Sequence, residues 1–274
     1  MDEVIITVAA VGAELTKQDQ PGLPITPEEL ALDAAACRDA GASIYHLHVR
    51  DAMGSPTMSV EAFAAATAAI EEVTDLIVQF TTGGAVSDDE ADRLAPLGLR
   101  PEMATLTTGS VNFADEVFVN RTPFVSALYR QMLDLGIVPE YEIFDAGMIA
   151  NADRLYEKFA TSHHRHYDFV LGVPGGMPAW PDALGFLTSK LPTGATWSAT
   201  GIGRSHLDVT RETLELGGHV RTGLEDVSYY EAGTRATSNA QLIERVARMA
   251  SNSGRGVASP ADARQMLGIH RRET

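Results

Sequence analysis

The 274-residue chain holds a single cysteine, Cys37, so no disulfide can close within it. It also has no apolar run of about 18 residues, the length a membrane-spanning helix requires. The start of the chain lacks the basic and apolar regions of a signal peptide and opens directly on a strand-like segment, Val4–Val11. Cations are scarce: 21 Lys and Arg against 37 Asp and Glu give a net charge of −16. Such a surface does not suit non-specific nucleic-acid binding, and any anionic ligand must find a local basic patch. These absences make a cytoplasmic protein with no nucleic-acid or membrane partner the expectation. Cys37 itself sits among Ala34, Ala35, Ala36 and Ala40, where a small buried apolar residue is expected. No linker or low-complexity stretch divides residues 1–274, so one domain with a C-terminal helical tail is expected.

What is present is alternation. Short apolar strands are expected at Val4–Val11, Ser43–Asp51, Leu76–Thr82, Glu102–Leu106, Pro139–Phe144, Tyr167–Gly172, Ala195–Thr200 and His219–Gly223, with helices between them. Thr26-Pro27-Glu28-Glu29 marks one helix start, with a threonine cap, proline at the first position and acids in the first turn. Apolar, β-branched runs alternating with helices imply a parallel sheet buried on both faces. Eight such units in a chain of this length fit a closed (β/α)₈ barrel, the α/β TIM-barrel class. A doubly wound open sheet is the alternative, but it offers no reason for eight strands.

In such a barrel the active site lies at the C-terminal ends of the strands, and the polar residues sort to that rim. Glu14 follows strand one, His46 and His48 end strand two, and Thr81 and Thr82 end strand three. Thr105, Thr107 and Thr108 end strand four, Glu140 and Glu142 share a face of strand five, and Glu225 and Asp226 follow strand eight, with Arg221 within it. On a strand, residues i and i+2 share a face, so His46 and His48 project together and suit a divalent metal such as zinc. Strands two and eight flank strand one, so Glu225 or Asp226 can reach the same metal. The acid that is not a ligand is free to act as a base, with Arg221 holding it ionised. His163, His164 and His166 precede strand six and are expected in a solvated loop on the opposite face. Gly172-x-x-Gly175-Gly176 and Gly201-x-Gly203-Arg204 have the look of phosphate loops, although turn geometry alone explains such glycines. Arg50-Asp51 suits either a local ion pair or support of the site.

Several stretches together resemble the β-keto acid cleavage enzymes: Ala10-Val11-Gly12-Ala13-Glu14, His46-Leu47-His48, Thr82-Gly83-Gly84-Ala85-Val86, Pro101-Glu102-Met103-Ala104-Thr105, Gly172-Val173-Pro174-Gly175-Gly176, Gly201-Ile202-Gly203-Arg204 and Glu225-Asp226. The resemblance runs in order along nearly the whole chain. It implies a zinc-dependent barrel, assembled as a homo-oligomer (dimer or tetramer), that exchanges acyl groups between a β-keto acid and acetyl-CoA. It further implies that His46, His48 and Glu225 bind Zn²⁺. Asp226 would take the proton between carboxylate and ketone, Arg221 would tune it, and Glu142 would serve later proton or orientation steps. Glu14, Thr81, Gly84 and Thr105 would line the substrate site.

The sequence departs from the family pattern at two places. Thr81 stands where serine is common, and Val227 stands where asparagine usually follows Glu-Asp. Glu14 mildly favours a cationic side chain on the substrate. Two rivals remain. One is a metal-dependent hydrolase of the amidohydrolase type, which would carry its His-x-His on strand one and more histidines on later rims. The other is a barrel that only binds an acyl ligand, against which Asp226 and Arg221 argue.

Overall fold

Capping chemistry sets the helix boundaries. In the structure, a computed structural model that describes residues 3–270, Thr26 accepts from the Glu29 amide while Glu29 reaches back to the cap, and Gly41 ends helix α1 (Pro27–Ala40) in the left-handed conformation. The remaining helices are α2 (Val60–Val73), α3 (Glu90–Leu94), α4 (Thr122–Leu135), α5 (Gly147–Phe159), α6 (Ala183–Thr188), α7 (His206–Glu215), α8 (Asn239–Asn252) and α9 (Pro260–Leu267). Among the described residues no helix is long and apolar enough to cross a membrane.

Eight strands form a closed parallel barrel in chain order: β1 (Ile6–Ala9), β2 (Ile44–Leu47), β3 (Ile77–Phe80), β4 (Met103–Thr107), β5 (Val138–Ile143), β6 (His166–Leu171), β7 (Thr196–Gly201) and β8 (His219–Thr222), with β8 pairing back onto β1. The barrel expected from the alternation is therefore the one found, and β1 does separate β2 from β8. Two segments are shorter than expected. Val4–Val11 divides, because Glu3–Val4 pairs outside the barrel with Gly256–Val257. Ser43–Asp51 divides at His48, after which Val49–Arg50 pairs antiparallel with Pro56–Thr57. A hairpin of Val111–Phe113 and Glu116–Phe118 follows β4, and its strands are not among the eight expected.

The barrel is closed at its N-terminal end by an apolar plug. Ile5, Ile44, Ile77 and Met103 meet Ala263, Leu267 and Ile269 from α9 and the residues after it. Capped by Ser259 and Asp262, α9 thus seals the floor by burying apolar surface. A larger apolar shell between the strands and the helices holds Val8, Phe63, Tyr141 and Phe169, among others. Above the floor the interior turns polar, and the polar layers lead to the open end.

Candidate metal and proton-transfer site

His46 lies on β2 facing the barrel interior, in register with Ala9 of β1 and Gln79 of β3. His48 stands just past the end of the strand, and the two rings lie 5.2 Å apart at 63°. Glu225 reaches them from the turn after β8. That turn is drawn tightly onto β1: the Glu225 amide donates to Ala9 O, and a Cβ at Gly223 would meet the same oxygen at 1.9 Å. Gly12, in the left-handed region at φ 62°, leaves room for Glu225, whose Cγ would sit 2.6 Å from any Cβ there. Two glycines therefore clear the path of one carboxylate.

His46 Nε2 and His48 Nε2 each lie 3.7 Å from Glu225 Oε1, and among the described residues these three form the one candidate ligand group found. Ligand atoms about 2.0–2.1 Å from one tetrahedral ion would stand about 3.4 Å apart, so the spacing fits. So does the chemistry. His46 Nε2 and Glu225 Oε2 are buried without a hydrogen-bond partner, a costly arrangement unless a ligand completes it. Burial, reinforced by the charge of Arg221, pushes the His46 pKa down to about 3. Burial also lowers that of His48. Both rings are thus neutral, the form that ligates. At His46, Nδ1 donates to Gln79 Oε1 at 2.8 Å, which leaves the Nε2 lone pair aimed at the group. For Glu225, burial opposes ionisation, but the Arg221 guanidinium that donates to it outweighs burial, and the pKa is held at about 2.

Arg221, 6% exposed in its side chain, is the hub of the acids. Its Nη2 donates to Glu225 Oε1 at 2.6 Å and to Asp226 Oδ1 at 3.0 Å, its Nε to Asp226 Oδ2 at 3.3 Å, and its Nη1 to Glu142 Oε1 at 3.3 Å. Thr107 donates to the other Glu142 oxygen at 2.7 Å. One guanidinium thus serves three buried carboxylates. Burial drives Asp226 up to about 7 against the pull of Arg221, and the Glu225 charge adds to the rise. Burial likewise raises Glu142 to about 7, opposed by Arg221 and Thr107. Two acids poised near neutrality beside an ionised third suit proton transfer.

These groups line one end of a cavity of about 200 Å³, and Thr81, Gly84 and Glu14 line it too. Glu14 is exposed at the rim. Thr105 is buried deeper, in register with Glu140, and its hydroxyl accepts from the Thr82 amide at 3.3 Å, so it supports the wall and does not line it. The opposite wall is apolar and includes Phe113 and Phe118 of the hairpin after β4. Arg93 fixes that hairpin: it donates to Thr82 O and Asn120 Oδ1 at 2.6 Å each and to Val119 O, and stacks against Phe118 and Phe124.

The histidine cluster before strand six is not a solvated loop. His166 begins β6 inside the barrel, 1% exposed, with Nε2 3.3 Å from Glu140. His163 packs against Tyr129 and Tyr156, and His164 contacts Thr196. Their polarity is absorbed by the polar barrel interior and by tyrosine hydroxyls. Arg50 does not pair with Asp51 but donates to Gly12 O and Leu15 O at 2.7 and 2.9 Å, bracing the loop that carries Glu14.

Gln79, Arg93 and the two phenylalanines were not expected at the site, whereas Thr107, expected at the rim, is found holding Glu142. A glutamine inside the apolar run Leu76-Ile77-Val78-Gln79-Phe80 was the available signal for the first. Because Gln79 fixes the tautomer and tilt of His46, Gln79→Leu is expected to weaken metal affinity by about 10–100-fold. Competition against a chromophoric chelator measures it, and an unchanged affinity would remove Gln79 from the site.

The model of the β-keto acid cleavage enzyme family matches residues 3–269. The chain is 43% identical over 271 residues to a 3-keto-5-aminohexanoate cleavage enzyme of Acetoanaerobium sticklandii, covering 98% of this chain and 99% of the relative. It is 39% identical over 269 residues to a 3-oxoadipate:acetyl-CoA acetyltransferase of Cupriavidus necator, covering 97% and 94%. Among solved structures, apo ObcA superposes with a TM-score of 0.77 at 21% identity, covering 91% of this chain and 66% of that one, a likeness of fold. With the family model spanning nearly all of it, this chain belongs to the β-keto acid cleavage enzyme family.

Proposed function

We propose that the protein is a zinc-dependent acyltransferase that converts a β-keto acid and acetyl-CoA into acetoacetate and a new acyl-CoA. The observation that carries this reading is a buried His-His-Glu group with unpartnered donor atoms, beside an acid held by Arg221. Zinc, held by His46, His48 and Glu225, would supply Lewis acidity for negative charge developing on the substrate oxygens. Asp226 takes the proton from the carbon between carboxylate and ketone. The resulting carbanion attacks the acetyl thioester carbonyl and expels CoA thiolate. The thiolate then adds to the original ketone carbon, and the bond between that carbon and the deprotonated one breaks, giving acyl-CoA and the acetoacetate carbanion, which recovers a proton from Asp226. Arg221 keeps the acids oriented throughout. Glu142, raised toward neutrality, is suited to hydrogen-bond the thioester oxygen or to pass a proton.

Glu14 at the rim supports a β-keto acid with a cationic side chain, such as 3-keto-5-aminohexanoate, the compound in the name of the Acetoanaerobium relative. The hydrolase alternative calls for further histidines at the rim, and His166 and His219 instead lie deep, the latter accepting from the Ile5 amide at 3.1 Å. Exposed Trp180 and Phe186 support assembly as a homo-oligomer, which light scattering measures; a cytoplasmic location completes the reading.

The test is a coupled assay: protein with zinc, acetyl-CoA and cationic, neutral and anionic β-keto acids, with acetoacetate and acyl-CoA detected by mass spectrometry. Product from the cationic member, lost on chelation and restored by zinc, is expected. No product from any member with zinc bound would sink the acyl exchange.

A further inference from the structure

Part of the chamber's rim is formed by the turn after β7, residues 202–205, and this turn is pinned on both sides. Ile202 N donates to Leu171 O at 2.9 Å, and Gly203 N donates to Asp226 O at 2.9 Å. Ile202 lines the cavity. Arg204 follows two residues later, so its Cα lies within about 7.6 Å of that of Ile202, and its side chain is exposed.

Arg204 is distinctive for what it does not touch. Among the described residues its guanidinium has no hydrogen bond, ion pair or ring contact, and every other lysine and arginine in residues 3–270 has one. Nearby Arg211 pairs with Asp208, Lys190 lies over Phe186, Arg235 over Tyr229, and Arg165 pairs with Asp153. Arg255 and Arg100 are also engaged. In a chain of net charge −16, the general field repels anions, so a polyanionic substrate needs a cation that is not already neutralised. An arginine on a fixed loop offers a planar fork that matches phosphate oxygens.

We infer that Arg204 is a binding residue for the phosphate groups of the thioester substrate's nucleotide portion, holding it outside while the acyl end enters past Ile202. This rests on the acetyl-CoA reading above and adds the docking point that reading lacks. The side chain is exposed and makes no hydrogen bond, ion pair or ring contact among the described residues, so Arg204→Glu should leave the structure intact, which circular dichroism verifies.

Two measurements test it. The first compares acetyl-CoA with S-acetyl-N-acetylcysteamine, a thioester without phosphates. In Arg204→Glu the ratio of kcat/KM for acetyl-CoA over the short thioester should fall at least tenfold, through KM of acetyl-CoA. A ratio equal to that of the wild type overturns the assignment. The second is calorimetric titration with adenosine 3′,5′-bisphosphate and, separately, inorganic phosphate. Weaker bisphosphate binding by the variant supports the site, and equal binding overturns it. Tight binding of inorganic phosphate that displaces nothing from the bisphosphate site would also count against it. If the wild type turns over no thioester at all, the acyl-exchange reading fails, and the titration still decides the role of Arg204.

Discussion

Asp226→Asn is expected to lower kcat by about a thousandfold while leaving the metal content of the protein unchanged. A positioned general base contributes about 10²–10⁴-fold, and an asparagine amide accepts no proton at neutral pH. The metal group does not include Asp226, because the three candidate ligands are His46, His48 and Glu225. Arg221 keeps Glu225 and Glu142 as partners in the variant, so the fold should survive. Deuterium exchange at the carbon between carboxylate and ketone, followed by NMR without acetyl-CoA, isolates the first step. The wild type should accelerate it and the variant should not. Exchange at the wild-type rate would move the base elsewhere. The pH profile follows from the same group. Burial raises Asp226 to about 7, and the base must be ionised to act, so wild-type kcat/KM should fall about tenfold per pH unit on the acid side. A bound divalent cation nearby favours the carboxylate, so the break lies at or below pH 7. A protein that merely bound acyl ligands would show neither effect.

The barrel was legible in the sequence because each strand is a short apolar run between capped helices, and a parallel sheet covered on both faces leaves that trace. The convergence of His46, His48, Glu225 and Asp226 was legible for a related reason: closure in chain order makes β2 and β8 flank β1, and the rim collects whatever follows each strand. The hairpin bearing Phe113 and Phe118 was not, since its strands are three residues each and partly exposed, too short for alternation to register. The meaning of His166 was also hidden. A histidine beside two others and an arginine reads as a solvated surface, and only closure of the barrel shows that its position faces Glu140 inside. Thr105 and Thr107 differ by two residues on one strand, which places one a layer below the cavity and the other against Glu142. That depth depends on strand tilt and register, which the pattern of residue types does not carry.

Arg221→Met is expected to cost about 3–5 kcal/mol of stability and all measurable turnover. Removing one partner of a buried ion pair strands the other's charge, and here three carboxylates lose their common cation while Asp168, buried below and hydrogen-bonded to Ser198 and Thr200 at 2.8 Å, adds to the repulsion. The loss should depend on pH in a stated direction. Without the guanidinium, Asp226 and Glu142, already raised to about 7, rise further. A carboxylate whose folded pKa exceeds its unfolded value near 4 leaves the native state holding the proton that the unfolded chain releases, so stability falls as pH rises from about 4 through the folded pKa. The variant should therefore lie closer to the wild type at pH 5.5 than at pH 8, as read by urea denaturation of the metal-free proteins. Arg221→Lys should recover part of the stability, since it restores a charge, but little of the activity, since one ammonium cannot match the fork that spans Glu142, Glu225 and Asp226. Equal stability of Arg221→Met and wild type at both pH values would mean that the acids are already neutral in the native protein. Asp226 would then be no base at rest, and proton abstraction would require the substrate or the metal to ionise it first.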